Sequence, residues 1–350
     1  MLNDSMEKKE EIMNLWRECF NDSEASMRLY FNSKYRDENA LVYEENGQAL
    51  SALQMIPYPM SWEGTMLSTS YISGVCTHPC ARKRGLMKQL LKKAILKMSE
   101  RNISVTTLIP ASTWLYDYYA KFGYTKIFEF TEENYKPSKE KTTARISSPE
   151  KYDTGTEAFF PYFNHCMQAR SCCIQHTAED YTTIVQDVYE SGGRLIATYE
   201  GNPERQSGLA FAVPCKEEVI VKELFFDHPS DREALFQEIN RIWPNASIKY
   251  IIPPVGKSIQ SIGMARIIQV EQLMKHFAQR HPNECLYLKI TDPLLPANDA
   301  IHIIQGGRYW KINRDVKVIR YTELTINELT TLLLKQQRIK EQPYMSLMLD

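Results

Sequence analysis

One sequence pattern occurs twice in this chain of 350 residues, and the two copies lie about 150 positions apart. The first copy reads THPCARKRGLMKQLL from Thr77, and the second reads DHPSDREALFQEI from Asp227. A hairpin-like stretch precedes each copy, LIPAS is echoed by IIPPV, and YYAKFGY is echoed by SIQSIGM, all in the same order. We interpret the repetition as an internal duplication, so the chain must fold into two similar halves followed by a remainder.

The first half alternates between patterns that are typical of helices and of strands. An amphipathic helix is predicted around EKKEEIMNLWRECF, and hairpin turns are predicted at Asn46-Gly47 and Glu63-Gly64. A strand ends at Thr77, and a helix follows from about Arg84 to Arg101. The segments ISVTTLIP, TWLYDYYAKFG and a stretch from Tyr124 then add a strand, a helix and a strand. This order predicts an α/β (α+β) layered domain over residues 1–135.

The remaining sequence divides into two further predicted domains. The polar stretch YKPSKEKTTARISSPE is predicted to be a linker, and the second copy of the pattern gives a domain over residues 136–265. A smaller third domain is predicted over residues 266–350. Its helix lies in MARIIQVEQLMKHFAQRHP, its strands are CLYLKITD, AIHIIQGGRYWKI and DVKVIRY, and a last helix is TINELTTLLLKQQ. Thr325 and Glu328 have the spacing of a capping box at the start of that last helix.

Composition argues against several classes of protein. The net charge is −1, which does not favour nucleic acid binding, and no apolar run reaches the roughly 18 residues of a membrane helix. The first residues lack the apolar core of a signal peptide, so we expect a cytoplasmic protein. The eight cysteines form no pair of clusters at zinc spacing, so we expect reduced thiols and no metal site.

Positive charge collects where the helix of the first copy begins. Arg82, Lys83, Arg84 and Lys88 lie around Gly85, and the free amides of a helix N-terminus favour an anion. A glycine lets a bulky anion approach the backbone, so the stretch has the outline of a pyrophosphate site. Taken alone, it is equally consistent with a solvated basic helix face.

The wider segment GVCTHPCARKRGLMKQLL…TLIPAS…YDYYAKFGY resembles the GCN5-related N-acetyltransferase (GNAT) superfamily. In that superfamily a strand, an Arg/Gln-x-x-Gly-x-Gly/Ala loop and a helix hold the pyrophosphate of acetyl-CoA. Arg82, Gly85 and Met87 fall on the three pattern positions, and Met87 departs from the small residue found third. The later Tyr-x-x-x-Gly-Tyr/Phe segment of the family matches the stretch from Tyr119 to Tyr124.

The chain as a whole resembles tandem acetyltransferases of the enhanced-intracellular-survival (Eis) type, in which a third domain is similar to sterol carrier proteins. LYLKITDPLLPANDAIHIIQGGRYWKI resembles the opening strands of that third domain. The resemblance implies two tandem acetyltransferase-like domains and a sterol-carrier-like α/β domain. It also implies a homo-oligomer, and an acceptor that is either a small-molecule amine or a lysine amine. The third domain is shorter here than is usual in the family.

The resemblance implies direct attack of an amine on the thioester of acetyl-CoA, without an acyl-enzyme. It assigns Tyr119 as the acid for the departing thiolate and Asp350, through the C-terminal carboxylate, as the base. The cofactor-binding residues that it implies, through side chain or backbone, are Val75, Cys76, Thr77, Arg82, Lys83, Arg84, Gly85, Leu86, Met87, Lys88 and Ser112.

Three other functions compete with this one. The chain could be a CoA-binding scaffold without turnover, a lipid carrier, or a transferase of a longer acyl or aminoacyl group. The retained Tyr119 argues against the scaffold, and the short third domain argues against the lipid carrier. Cys76 beside the thioester suggests a nucleophile, but no His/Asp pair accompanies it at a recognisable spacing.

The second copy lacks the residues that the chemistry needs. Leu235 stands opposite Gly85, and Ile259 stands opposite Tyr119. Glu233 would place a carboxylate beside a phosphate site, where like charges cost on the order of 1 to 4 kcal/mol. We therefore predict that the second copy is structural and that it covers the substrate cleft.

Overall fold

The structure, a computed structural model, describes residues 2–137, 144–201, 204–256, 258–313, 320–335 and 342–349. The first half begins with two helices, continues with three strands, and then alternates between helix and strand. Its elements are α1 (Leu2–Cys19), α2 (Glu24–Ser33), β1 (Ala40–Glu45), β2 (Gln48–Trp62), β3 (Thr65–Thr77), α3 (Leu86–Glu100), β4 (Val105–Leu108), α4 (Thr113–Ala120) and β5 (Thr125–Asn134). The predicted turns at Asn46-Gly47 and Glu63-Gly64 join β1 to β2 and β2 to β3.

The second half repeats most of this order with small additions, but its described residues include no helix between the last two strands. Its elements are β6 (Arg145–Ser147), α5 (Thr154–Glu157), α6 (Phe160–Gln168), β7 (Cys172–Ile174), α7 (Ala178–Glu190), β8 (Arg194–Glu200), β9 (Arg205–Cys215), β10 (Glu218–Phe226), α8 (Pro229–Ile242), β11 (Ser247–Ile252) and β12 (Ile259–Ile267). The stretch that we predicted as a linker contains β6, which pairs with β8, so that prediction was wrong for residues 145–147.

The remainder forms a smaller unit. Its elements are α9 (Val270–Arg280), β13 (Leu286–Thr291), β14 (Ala300–Gln305), β15 (Arg308–Ile312), β16 (Thr322–Thr325) and α10 (Ile326–Leu334). Thr325 and Glu328 form the predicted capping box of α10. Most of the predicted strand DVKVIRY lies outside the described residues, and β16 begins directly after it.

The strands of the two halves form one continuous sheet. Their order is β1-β2-β3-β4-β12-β5-β11-β10-β9-β8-β6, and β7 pairs separately with β2. Strands β1, β2, β3 and β4 of the first half correspond to β8, β9, β10 and β11 of the second, in mirrored order along the sheet. At the centre the halves exchange one strand each, because β12 lies between β4 and β5 and β5 lies between β12 and β11. The fold is therefore of the predicted α/β class, with two similar halves.

The smaller unit has its own sheet, in the order β15-β14-β13-β16. A buried ion pair joins it to the large sheet: Arg266 of β12 donates to both carboxylate oxygens of Asp292 at 2.8 Å. The domain boundary that we predicted near residue 266 thus falls inside a strand of the large sheet.

The first half buries different helices on the two faces of the sheet. Helices α1 and α2 pack on one face through residues such as Ile12, Trp16 and Phe31. Helices α3 and α4 pack on the other face through residues such as Leu91 and Tyr119. A site that spans the gap between two strands can therefore receive groups from both faces. No helix in the described ranges is long and apolar enough to cross a lipid bilayer.

Candidate active site

The loop between β3 and α3 presents an open row of backbone donors. Gly85 is the residue before the helix, its φ is +77°, and a Cβ built on it would meet nothing within 4 Å. Within the described residues, none of the amide N–H groups from Lys83 to Lys88 donates a hydrogen bond. Free amides at a helix N-terminus can donate hydrogen bonds to an anion, and the glycine leaves room for the anion to approach them.

The basic side chains around this loop do not have equal freedom. Both guanidinium Nη atoms of Arg84 donate to the carboxylate of Glu45 at 2.9 Å, and this contact holds the pKa of the Glu45 carboxyl below its usual range. Arg82 donates from Nε to the carbonyl of Thr77 at 3.3 Å, and it forms no ion pair with a carboxylate in the described part of the chain. Arg82 is thus better placed than Arg84 to meet a phosphate.

The other predicted residues of this loop differ in what they can offer. The side chain of Leu86 is buried in the core, so only its backbone amide can meet a ligand. Met87 is partly buried against the apolar cluster that α3 forms with the sheet, while Lys88 is exposed.

Just before this loop, strand β3 loses its hydrogen-bonded neighbour on one side. Its parallel pairing with β4 ends at Tyr71–Thr107, although β3 continues to Thr77. A bulge at Gly74 and Val75 shifts its register on β2, and the indole of Trp16 lies 2.5 Å from where a Cβ on Gly74 would stand. From Val75 to Thr77 the strand therefore borders a gap towards β4, which suits an extended ligand.

The thiol of Cys76 does not face this gap. Its side chain is buried in the core, where the neighbouring Cys19 thiol and burial raise the pKa of the Cys76 thiol well above its usual value. Because the thiolate is the nucleophile, this environment agrees with a backbone role for Cys76.

Helix α4 carries two of the predicted residues. Ser112 precedes the helix and is exposed, and its hydroxyl makes no capping hydrogen bond. Tyr119 is 4% exposed, and its ring packs against Tyr118 and Tyr124 at centroid distances of 5.5 and 6.0 Å. Its hydroxyl makes no hydrogen bond to any described residue. Burial raises the pKa of Tyr119, so the phenol keeps its proton and can act as an acid.

Packing explains why the Tyr-x-x-x-Gly segment ends in a glycine, and the sequence alone did not reveal this reason. Gly123 has a φ of +88°, and a Cβ on it would lie 1.9 Å from Nη1 of Arg266. The same atom of Arg266 donates to the carbonyl of Phe122 at 2.9 Å. Arg266, held by Asp292, therefore fixes the end of α4 and with it the position of Tyr119.

A cavity of about 660 Å³ opens on the face of the sheet that carries α1 and α2. Its wall is largely apolar, with Met27 and Ile109 among its residues, and Asn21 and Asp22 add polar atoms. Trp16 donates from Nε1 to Asp22 Oδ2 at 2.7 Å, so the indole that packs on the β3 bulge also orients this carboxylate. Tyr119 does not line the cavity and lies on the opposite face. Asp22 has no motif that would have identified it in the sequence.

The C-terminal tail forms another wall of this cavity. We define the tail as residues 344–349; Tyr344 and Met345 are each 1% exposed, and Leu347, Met348 and Leu349 line the cavity. The Tyr344 amide donates to the carbonyl of Cys172 at 2.9 Å. Asp350, the predicted base, lies outside the described residues. The chain is therefore held at the cavity up to the residue before it.

His176 packs against the tail and makes the fold sensitive to acid. It is 3% exposed, and its Nε2 donates to the carbonyl of Ser346 at 3.0 Å. Burial lowers the pKa of His176 to about 4. The unfolded chain therefore takes up a proton before the folded one does. Stability is complete above about pH 6.5 and is lost as the pH falls towards 4, by about 3 kcal/mol from this group.

Chemical denaturation at pH 7.5 and pH 4.5 checks this expectation. The free energy of unfolding should fall less between the two pH values in His176→Gln than in the wild type, because glutamine takes up no proton. Equal falls in the two proteins would show that His176 does not carry the effect.

The start of α8, the counterpart of α3, is closed. The Asp231 carboxylate accepts from the His228 amide at 3.1 Å and from the Ser207 hydroxyl at 2.7 Å. Glu233, which we expected beside the helix start, is instead buried and accepts from the Tyr135 hydroxyl at 2.6 Å. Our expectation for Glu233 was therefore wrong, and Asp231 is the carboxylate at this helix end. The described residues between β11 and β12 form no helix equivalent to α4.

Part of this chain resembles a known protein family. Residues 5–127 match the family model of an acetyltransferase (GNAT) domain, and no curated protein matches the sequence. Solved structures also share the fold. A probable N-acyltransferase from Enterococcus faecalis V583 has a TM-score of 0.78 at 15% identity, covering 97% of both chains.

A GCN5-related N-acetyltransferase from Kribbella flavida has a TM-score of 0.71 at 14% identity, covering 97% of this chain and 95% of its own. Eis1 from Mycobacterium abscessus has a TM-score of 0.66 at 12% identity, covering 93% of this chain and 86% of its own. At these identities the likeness shows the fold, and it extends over nearly the whole chain.

Proposed function

We propose that this protein is an N-acetyltransferase that moves an acetyl group from acetyl-CoA to an amine, by direct attack within a ternary complex. The observation that carries this proposal is the free row of amides from Lys83 to Lys88, which follows a strand edge that β4 leaves unpaired. A pyrophosphate fits the amides, and an extended pantetheine arm fits the strand edge. The GNAT domain match over residues 5–127 supports the same activity.

Each residue of the proposed cofactor site has a role that follows from its position. The amides from Lys83 to Lys88 and the guanidinium of Arg82 hold the pyrophosphate. The backbone from Val75 to Thr77 holds the arm and polarises the thioester carbonyl, while Ser112 borders the other side of the gap. Arg84, occupied by Glu45, contributes mainly to the local field.

Two groups handle protons. Tyr119 keeps its proton at neutral pH and gives it to the departing thiolate. The acceptor arrives as an ammonium, which must lose a proton before its nitrogen can attack the thioester carbonyl, and Asp350 assists this loss. Carboxyl groups with pKa values of about 3.5 to 4 are too weak to remove that proton outright, so Asp350 acts by binding the cation and passing its proton to water.

The cavity is the proposed acceptor site. Its volume of about 660 Å³ fits a small-molecule amine, and the Asp22 carboxylate supplies a negative charge for the ammonium. The lysine of a protein is the other acceptor that we predict. The likeness of residues 266–350 to sterol carrier proteins, the cytoplasmic location and the homo-oligomer stay predictions.

Arg82→Ala is expected to weaken acetyl-CoA binding about ten-fold at low salt, because a hydrogen bond to a charged group is lost. The loss should be smaller at high salt, where ions screen the phosphate charge. Isothermal calorimetry at two salt concentrations measures both values.

Arg84→Ala is the matched control, since Glu45 already occupies that guanidinium, and its effect should be smaller. An Arg82 variant that binds as tightly as the wild type would remove Arg82 from the site. A wild-type protein that binds no acetyl-CoA, or binds it and acetylates no amine, would contradict the proposed function.

A further inference from the structure

Strands β10 and β11 of the second half separate just as β3 and β4 do in the first half. The parallel pairing of β10 with β11 ends at Val221–Tyr250, and that of β3 with β4 ends at Tyr71–Thr107. Val221 follows Tyr71 by 150 positions, which is also the spacing from Thr77 to Asp227 (221 − 71 = 227 − 77). The register on the neighbouring antiparallel strand shifts just beyond each point. The second half thus keeps the gap that we assign to the cofactor in the first half.

The C-terminal tail occupies this region of the second half. The Ser346 hydroxyl donates to Glu223 Oε2 of β10 at 2.5 Å. Tyr344 packs in the same cluster as Phe225 of β10, and Ile251 of β11 and Leu347 of the tail lie against that cluster. The tail therefore contacts β10 just beyond the place where β10 and β11 diverge.

A buried ion pair holds this contact in place. Arg170 donates from Nη1 and Nη2 to the two carboxylate oxygens of Glu223, each at 2.9 Å. The side chain of Glu223 is 1% exposed and that of Arg170 is 14% exposed. The guanidinium of Arg170 also lies 4.7 Å from the ring centroid of Tyr344. The ion pair thus binds one tail residue through each partner, because Glu223 accepts from Ser346 and Arg170 covers Tyr344.

The chemistry of this contact favours one orientation of the tail. A buried carboxylate is costly unless donors surround it, and Ser346 completes the set that Arg170 begins. Two residues beyond Ser346 the chain lines the cavity through Met348 and Leu349. Holding Ser346 in place therefore fixes where the residues that follow it enter the cavity.

We infer that the second half is an intramolecular receptor for the C-terminal tail, in which Glu223 and Arg170 are positioning residues that hold Ser346 and Tyr344. The effect of this receptor on turnover rests on the proposed function, whereas the binding of the tail does not. The inference explains why the second half keeps the strand gap although Asp231 closes its helix start.

Trimming of the full-length protein by a carboxypeptidase tests the receptor without reference to activity. Glu223→Gln removes the charge and keeps the shape, and Ser346→Ala removes one hydroxyl from the tail. Mass spectrometry should show release of Leu349 and Met348 about ten-fold faster in both variants than in the wild type. Glu218→Gln is the matched control, because Glu218 lies on the same strand and pairs with Lys249 at the surface; its trimming should equal that of the wild type.

Ser346→Ala keeps the test decisive if Glu223→Gln fails to fold, because the substitution lies in the tail. Wild-type trimming rates in the folded variants would overturn the inference. So would acceleration by Glu218→Gln equal to that by Glu223→Gln, since it would reflect general loosening of the strand.

Kinetics then separates positioning from general damage. In Glu223→Gln and Ser346→Ala, kcat should fall about ten-fold, while the KM for acetyl-CoA stays unchanged because the cofactor lies in the other half. A parallel loss of cofactor affinity would overturn the positioning role. If the wild type transfers no acetyl group but the trimming differences hold, the receptor stands and the proposed function falls.

Discussion

Replacing Tyr119 with phenylalanine is expected to lower turnover by roughly 10²-fold or more, which is the usual scale for the loss of a general acid. The substitution keeps the ring packed between Tyr118 and Tyr124 and deletes only the hydroxyl. Because that hydroxyl makes no hydrogen bond to a described residue, its loss should leave stability and acetyl-CoA affinity nearly unchanged. Steady-state kinetics gives the turnover, and calorimetry gives the affinity.

Tyr118→Phe is the matched control for this prediction. Tyr118 is the preceding residue on α4, and its ring also contacts Phe122. Its hydroxyl has no assigned role, so turnover should stay near the wild-type value. A large loss in Tyr118→Phe together with normal turnover in Tyr119→Phe would show that the assignment of the acid is off by one residue.

Sequence reasoning succeeded where the signal was local. The hairpin turns at Asn46-Gly47 and Glu63-Gly64, and the capping box of Thr325 with Glu328, are set by a few neighbouring residues. The helix that starts after Gly85 is equally local, because its apolar stripe follows the 3.6-residue period. These signals located the proposed pyrophosphate loop, although they do not show what binds there.

Contacts between distant segments could not be predicted in the same way. The exchange of β5 and β12 depends on which strands pair, and strand periodicity says nothing about the partner. The approach of Arg266 to Gly123 joins residues 143 positions apart (266 − 123), and only the packed structure brings them together. Asp22 likewise gains its place in the cavity wall from the indole of Trp16.

The error at Glu233 has the same origin. Aligning the two copies placed a carboxylate near the start of α8, and that carboxylate is buried against Tyr135 instead. Glu233 lies two positions after Asp231, and side chains two positions apart point to different sides of a helix. Glu233 therefore faces Tyr135 and not the helix start. Asp231 lies at the end of the helix, where it meets a free amide and caps it.

The two halves therefore have similar arrangements of strands and helices, and they differ in the groups found at corresponding positions. The first half keeps free amides, a glycine and a helix that carries a tyrosine. The second half caps its helix start with Asp231 and holds the tail through β7 and Glu223. Because the tail then reaches the cavity, the second half contributes to the proposed site through the end of the chain.

Removing Leu349 and Asp350 together is expected to lower turnover by roughly 10²-fold or more, because the carboxylate proposed to bind the ammonium and pass its proton to water is lost. The anchoring residues Tyr344 and Ser346 remain in the shortened chain, so the fold and the binding of acetyl-CoA should persist. Thermal unfolding and calorimetry check these two properties, and kcat measures the effect.

Two further variants separate the carboxylates of Asp350. Adding a few glycine and serine residues after Asp350 keeps its side chain and moves the α-carboxylate away, whereas Asp350→Asn keeps the α-carboxylate and neutralises the side chain. If the α-carboxylate acts, the extended chain loses turnover and Asp350→Asn keeps it. If the side chain acts, the order is reversed. Full activity in both variants and in the shortened chain would show that the end of the chain takes no part in the proton transfer.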